Sequence, residues 1–102
     1  MKQMNQRDAI HYIATQQEFR ASALEGRVYG VGNGRLDEQE TAYYNRDLNA
    51  VMYWVYSYST PIAWYTEGNG WYVVEQKFSS TTSKHQNYVR QAIAEANELV
   101  GA

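Results

Sequence analysis

The 102 residues predict an α+β fold, and three observations carry that prediction. Apolar residues recur at helical spacing near both ends, at Ala9, Ile10, Ile13 and Ala14 and again from Tyr88 to Val100. Between them Val51 to Tyr58 form a β-branched and aromatic run of the kind that packs on a pleated sheet. The elements come as helices, then strands, then a helix, so the sheet is expected to be an antiparallel meander rather than a parallel α/β sheet.

The first helix is expected from about Gln6 to Phe19, because Asn5 supplies a capping side chain with Asp8 three residues on. A short middle helix follows from Asp37 to about Asn45. There Asp37 is the cap, and Glu40 at the third helical position answers it in a capping box. Strand pattern starts at Val51 and runs to Tyr58, and Pro61, which has no amide to donate, belongs in a turn or at the first position of the next strand. That strand covers Ile62 to Thr66. Glu67-Gly68-Asn69-Gly70 then makes a tight hairpin, since Asn and Gly tolerate positive φ, and Trp71 to Gln76 return. The meander therefore has three strands, or four. Ser83-Lys84-His85-Gln86 reads as a second capping box, opening a last helix whose stripe of Tyr88, Val89, Ala92, Ile93, Ala96, Leu99 and Val100 packs on the sheet.

Composition narrows the function classes. Residues 1–102 read as one domain, without repeats, low-complexity tracts or a linker. The absence of cysteine removes disulfides, thiolate metal sites and thiol nucleophiles. The first seven residues lack the apolar stretch of a signal peptide, and the longest apolar run, Ala50 to Tyr56, is far too short to span a bilayer, so a soluble, cytoplasmic protein without membrane contacts is expected. A net charge of −2 argues against a broad phosphate-binding surface.

Nine of the fifteen aromatic residues lie between Tyr53 and Phe78, and along the first strand they load both faces. One face is expected to bury against the outer helices. If the other is open, it forms a stacking platform for bases or an aromatic protein interface; if the middle helix or the loop from Gly26 to Arg35 covers it, it is core. The expected partner contacts are Tyr53, Trp54, Tyr56, Tyr58, Trp64 and Trp71, with Arg27 and Arg35 flanking the glycine loop. That loop, Gly30-Val31-Gly32-Asn33-Gly34, could cradle an anion on its amides, but Asp37 and Glu38 stand where a phosphate would go and neither Walker nor dinucleotide spacing is present. His11 and His85 are too isolated to suggest a metal site, and no cofactor is expected.

Two segments carry a resemblance. Tyr56-Ser57-Tyr58-Ser59-Thr60-Pro61-Ile62-Ala63 and, after the hairpin, Ser79-Ser80-Thr81-Thr82-Ser83-Lys84-His85-Gln86 resemble a family of small uncharacterised proteins of bacteriophages and plasmids. The family's pattern is Tyr-Ser-Tyr-x-Thr-Pro-Ile-Ala followed by Ser-x-Thr-Thr-Ser-Lys/Arg-His-Gln. The resemblance spans residues 50 to 90 and implies a mobile-element origin and a host-cell cytoplasm; it implies no activity. On physical grounds the two segments are expected at one end of the sheet. There Thr60, Thr81, Thr82, Ser83 and His85, with the Tyr56 and Tyr58 hydroxyls, would form a polar cluster that locks the fold or lines a small pocket.

These readings favour a non-enzymatic accessory protein that binds a host or phage protein, as an inhibitor of a host defence system, with self-association as a further possibility. The alternative is nucleic-acid or nucleotide binding through the aromatic sheet. An enzyme using His85 as general base ranks behind both.

Overall fold

The computed structural model describes residues 4–101. Helix α1 (Gln6–Ala14) starts as its sequence dictates, the Asn5 carboxamide oxygen accepting the Asp8 amide at 2.9 Å. It stops five residues short of Phe19. The Thr15 amide and hydroxyl both return to the His11 carbonyl, and Gln16 turns into the left-handed region at φ 54°. Phe19 instead opens strand β1 (Phe19–Ala21), which folds back through Ser22 (φ 59°) into β2 (Leu24–Arg27). Strands of three and four residues are too short to show an alternating pattern, which is why this hairpin is not legible in the sequence.

Helix α2 (Glu38–Asp47) is capped by Asp37, whose carboxylate accepts the Glu40 amide at 2.8 Å. Glu40 does not close the expected capping box. It is buried, and its carboxylate accepts the Tyr72 hydroxyl and the Glu75 amide.

Strands β3 (Val51–Ser57), β4 (Thr60–Thr66) and β5 (Gly70–Val73) complete a five-stranded antiparallel sheet of order β1-β2-β3-β4-β5. The expectation of three or four strands is corrected to five. The β3–β4 turn consists of Tyr58 and Ser59, both at positive φ (50° and 66°), as a two-residue hairpin with right-handed strand twist requires. Pro61 is the second residue of β4, opposite Tyr56 and next to a register shift, where its missing amide does least harm to the ladder. In the β4–β5 turn Gly70 takes the left-handed conformation (φ 74°), closing a three-residue loop. β5 ends at Val73 instead of Gln76, since side chains claim the next backbone groups: Gln86 donates to the Val74 carbonyl at 2.8 Å, and Glu40 accepts from Glu75.

Alternation along β3 and β4 sends large side chains to both faces. Tyr53, Val55 and Ala63 pack with Phe19, Ala21, Leu24 and Ile62 against Ala9 and Ile13 of α1 and Val89 and Ala92 of α3 (Ser80–Gly101). On the other face Trp54, Tyr56 and Trp64 pack with Val74 and with Tyr44 of α2. Full burial of a large apolar side chain contributes about 1.5–3 kcal/mol, so the sheet gains from a layer on each side.

Gly26 lies where β2 passes closest to the first of these cores. A Cβ there would sit 2.0 Å from the Tyr53 hydroxyl and 2.5 Å from the Phe19 ring. Gly26→Ala is expected to lower stability by about 1–3 kcal/mol through overpacking, read as a drop of several degrees in the melting temperature.

Candidate functional site

The structure separates the expected partner-contact residues. Tyr53, Trp54, Tyr56 and Trp64 are buried, the first beneath α1 and α3 and the other three beneath α2 and the loop before it. The Tyr53 hydroxyl donates to the Gln17 carbonyl at 2.7 Å, and burial pushes its pKa upward. Trp54 and Trp64 pack against each other across the strands, centroids 5.7 Å apart and rings tilted by 53°, and Tyr44 meets Trp64 edge-on at 6.0 Å. The second sheet face is therefore core and not an open platform. Trp71 is half-buried, edge-on to Tyr53 at 6.0 Å and to Tyr65 at 5.6 Å. Among these six only Tyr58, at the β3–β4 turn, stands out into solvent, 60% exposed.

The polar cluster forms around different residues. Helix α3 begins at Ser80, and its capping residue is Ser79, four residues before the expected cap Ser83; the Ser79 hydroxyl accepts the Thr82 amide at 3.3 Å. The Gln86 side chain reaches the Val74 and Gln76 carbonyls, not back to Ser83. His85 is fully buried one turn into α3, with Nδ1 2.7 Å from the Ser57 hydroxyl, which in turn lies 3.1 Å from the Thr82 hydroxyl. Tyr58 stacks on the His85 ring at 6.3 Å, and Tyr88 lies at 6.3 Å as well. Burial first, and the neighbouring Lys84 second, hold the His85 pKa below its ordinary value, so the imidazole is neutral at pH 7. Thr82 and His85 thus belong to the cluster. Thr81 is exposed, Ser83 is half-buried in the first turn, and Thr60 bonds elsewhere, accepting the Arg35 amide at 3.0 Å. Ser57, which sequence reasoning left out, is the hub.

The glycine loop is tied to the protein at Val31, Gly32 and Asn33. Val31 donates to the Tyr56 hydroxyl at 2.8 Å, that hydroxyl donates to the Gly32 carbonyl at 3.3 Å, and Leu36 donates to the Asn33 carbonyl. Gly34 (φ 52°) presses against β4 so closely that a Cβ would meet Thr60 Cα at 2.6 Å and the Ser59 carbonyl at 2.7 Å. The loop is a lid on the Trp54 and Tyr56 side of the sheet. Arg27 is held by Glu25 and by the Tyr29 hydroxyl, its guanidinium 5.2 Å from the Tyr29 ring centre. Arg35 is exposed.

Two buried carboxylates on α2 also escaped sequence reasoning. Asp47 accepts the Trp64 indole at 2.9 Å and pairs with Arg46 at 2.7 Å, contacts that hold its pKa below the usual carboxylate range. Glu40, Tyr44 and Asp47 stand at i, i+4 and i+7, one stripe of the helix, and that spacing was the available signal. No group of three or more His, Asp or Glu able to hold a metal occurs among the described residues, nor is any of their helices long and apolar enough to cross a membrane.

These features define a small α+β protein whose five-stranded antiparallel sheet is covered on both faces and locked at one end by a buried serine–threonine–histidine network. The chain belongs to a family of unknown function (DUF8033), whose model matches residues 11–98 and so takes in the N-terminal hairpin as well as the two segments singled out above. No curated protein and no solved structure matches the chain.

Ser79→Ala should cost about 1 kcal/mol through loss of the α3 cap, whereas Ser83→Ala should change stability by less than about 0.5 kcal/mol; paired thermal melts decide. Because His85 is less basic folded than unfolded, the unfolded chain binds the proton more readily. Stability should be full above about pH 6.5 and fall with pH below it, and His85→Asn should flatten that dependence in melts taken from about pH 8 to about pH 5.

Proposed function

We propose that this chain is a non-enzymatic binding module that engages a protein partner through the loop between β2 and α2. The carrying observation is the surface of that loop: Val28, Tyr29 and Val31 are 55%, 52% and 53% exposed within four residues, while the aromatic residues of β3 and β4 are spent on the core. Exposed apolar side chains grouped in this way mark interaction sites. The backbone beneath them is fixed. The Val28 amide donates to the Glu18 carboxylate at 3.1 Å, Gly30 rests on the Trp54 ring, and the Tyr56 hydroxyl takes the Val31 amide. A loop held in place presents its side chains at little ordering cost on association, and the Tyr29–Arg27 pair is of the residue types that dominate interface energetics.

Burial of Trp54 and Trp64 under α2 favours a protein partner over stacked bases. Ser57 and His85 are shielded from solvent and engaged in a network that ties α3 to β3, which supports a structural role over a catalytic one. The resemblance to bacteriophage and plasmid proteins extends the reading to an accessory protein acting in a host cytoplasm, with a host or phage protein, or a defence component that it inhibits, as the partner.

The test compares wild type with the triple variant Val28→Ser, Tyr29→Ser, Val31→Ser in affinity capture from host lysate and in sedimentation. Wild type should capture a partner or self-associate, and the variant should lose that association with its melting temperature unchanged within about 2 °C. Capture of the same partner by the variant, or a wild type that stays monomeric and captures nothing, overturns the reading.

A further inference from the structure

At the foot of α3 the two resemblance segments meet around a cavity of about 300 Å³, lined by Arg35, Ser57, Tyr58, Thr60, Phe78 and Ser79. That volume is at the lower end of small-ligand clefts. No carboxylate lines it. Arg35 is anchored at its base, its amide donating to Thr60 Oγ1 at 3.0 Å and its carbonyl accepting from the Gln76 side chain at 3.0 Å. Its guanidinium, by contrast, has no ion pair or hydrogen bond among the described residues, unlike Arg27 and Arg46, whose guanidinium groups both pair with carboxylates.

A second, independent observation concerns Thr60. The residue is 4% exposed and lines the cavity, and its hydroxyl oxygen is already used in accepting the Arg35 amide. That bond satisfies the Thr60 oxygen and leaves the hydroxyl hydrogen available as a donor. The cavity therefore offers the unpaired guanidinium of Arg35 beside the Thr60 hydroxyl. The rings of Tyr58, largely exposed, and Phe78, half-buried, form its apolar walls. Guanidinium plus hydroxyl donors match the several oxygens of a phosphate, and the ring walls leave room for an attached organic group that orthophosphate lacks.

We propose that this cavity binds a small phosphate monoester, with the Arg35 guanidinium and the Thr60 hydroxyl donating to the phosphate oxygens and the organic group lying against Tyr58 and Phe78. The site is separate from the exposed side chains of Val28, Tyr29 and Val31, so it stands or falls independently of the protein partner.

Calorimetric titration in low-salt buffer free of phosphate and sulfate tests it, with adenosine monophosphate, ribose 5-phosphate, orthophosphate and adenosine as probes. Both esters should bind with Kd of about 1 mM or tighter, orthophosphate more weakly, and adenosine not measurably. Arg35→Gln should weaken ester binding about tenfold or more at an unchanged melting temperature, because the guanidinium supports nothing in the fold, while Arg90→Gln, a charge-matched change on the body of α3, should leave it as in wild type. Tyr58→Ala should weaken the esters and leave orthophosphate alone. No saturable binding of either ester up to about 10 mM, equal binding by adenosine or orthophosphate, or an Arg35→Gln protein that binds as wild type overturns the proposal.

Discussion

Trp54 and Trp64 face one another across β3 and β4 on the side of the sheet away from α1 and α3, and their burial is the constraint from which the rest of the architecture follows. A sheet with Tyr53 and Val55 on one face and Trp54 and Tyr56 on the other cannot leave either face to water without exposing several large apolar side chains. The chain meets this by placing α1 and α3 on one side and α2 with its preceding loop on the other. The second cover is thin, a ten-residue helix of low hydrophobicity, so polar contacts hold it down: Asp47 to the Trp64 indole, Glu40 to Tyr72 and the Glu75 amide, and Tyr56 to the glycine loop. Burying a carboxylate is costly without such partners, and each of these carboxylates has two.

The same requirement shapes the surface. The loop that seals Trp54 and Tyr56 has its polar backbone turned inward toward the Tyr56 hydroxyl and β4, and this leaves Val28, Tyr29 and Val31 facing out. The proposed partner surface is thus the outer side of a structural lid, and rigidity needed for the core becomes preorganisation for contact. At the opposite end of the loop, the close approach of Gly34 to Thr60 sets Arg35 over the cavity beside α3.

His85 illustrates how one buried polar group joins the layers. It sits on α3, bonds a β3 serine, and lies between the rings of Tyr58 and Tyr88. In a low-dielectric setting a satisfied network of this kind fixes the register of helix against sheet, because displacement by one residue would strand both partners.

The α+β class, the Asn5 and Asp37 caps, the β3–β4–β5 meander and the first part of the α3 stripe, Tyr88 to Ile93, were legible in the sequence, since each is written in local spacing; the expected end of the stripe is not packed as predicted, Leu99 being 58% exposed, and the Val100 side chain lies outside the described residues. Some edges were legible only in part. The α1 stop at Thr15 and the α3 cap at Ser79 depend on a few local hydrogen bonds, and a polar run such as Ser79 to Ser83 offers several equivalent caps until the packing of His85 against Ser57 sets the helix phase. Long-range packing alone sets the β1–β2 hairpin, whose seven residues gain their pairing from β3 and their burial from α1, and the fate of the aromatic residues. Alternation shows that Trp54 and Tyr53 point to opposite faces, but whether a face meets water depends on what long-range packing places over it, and for this sheet that was a helix whose buried stripe, Glu40, Tyr44 and Asp47, is too polar to announce itself.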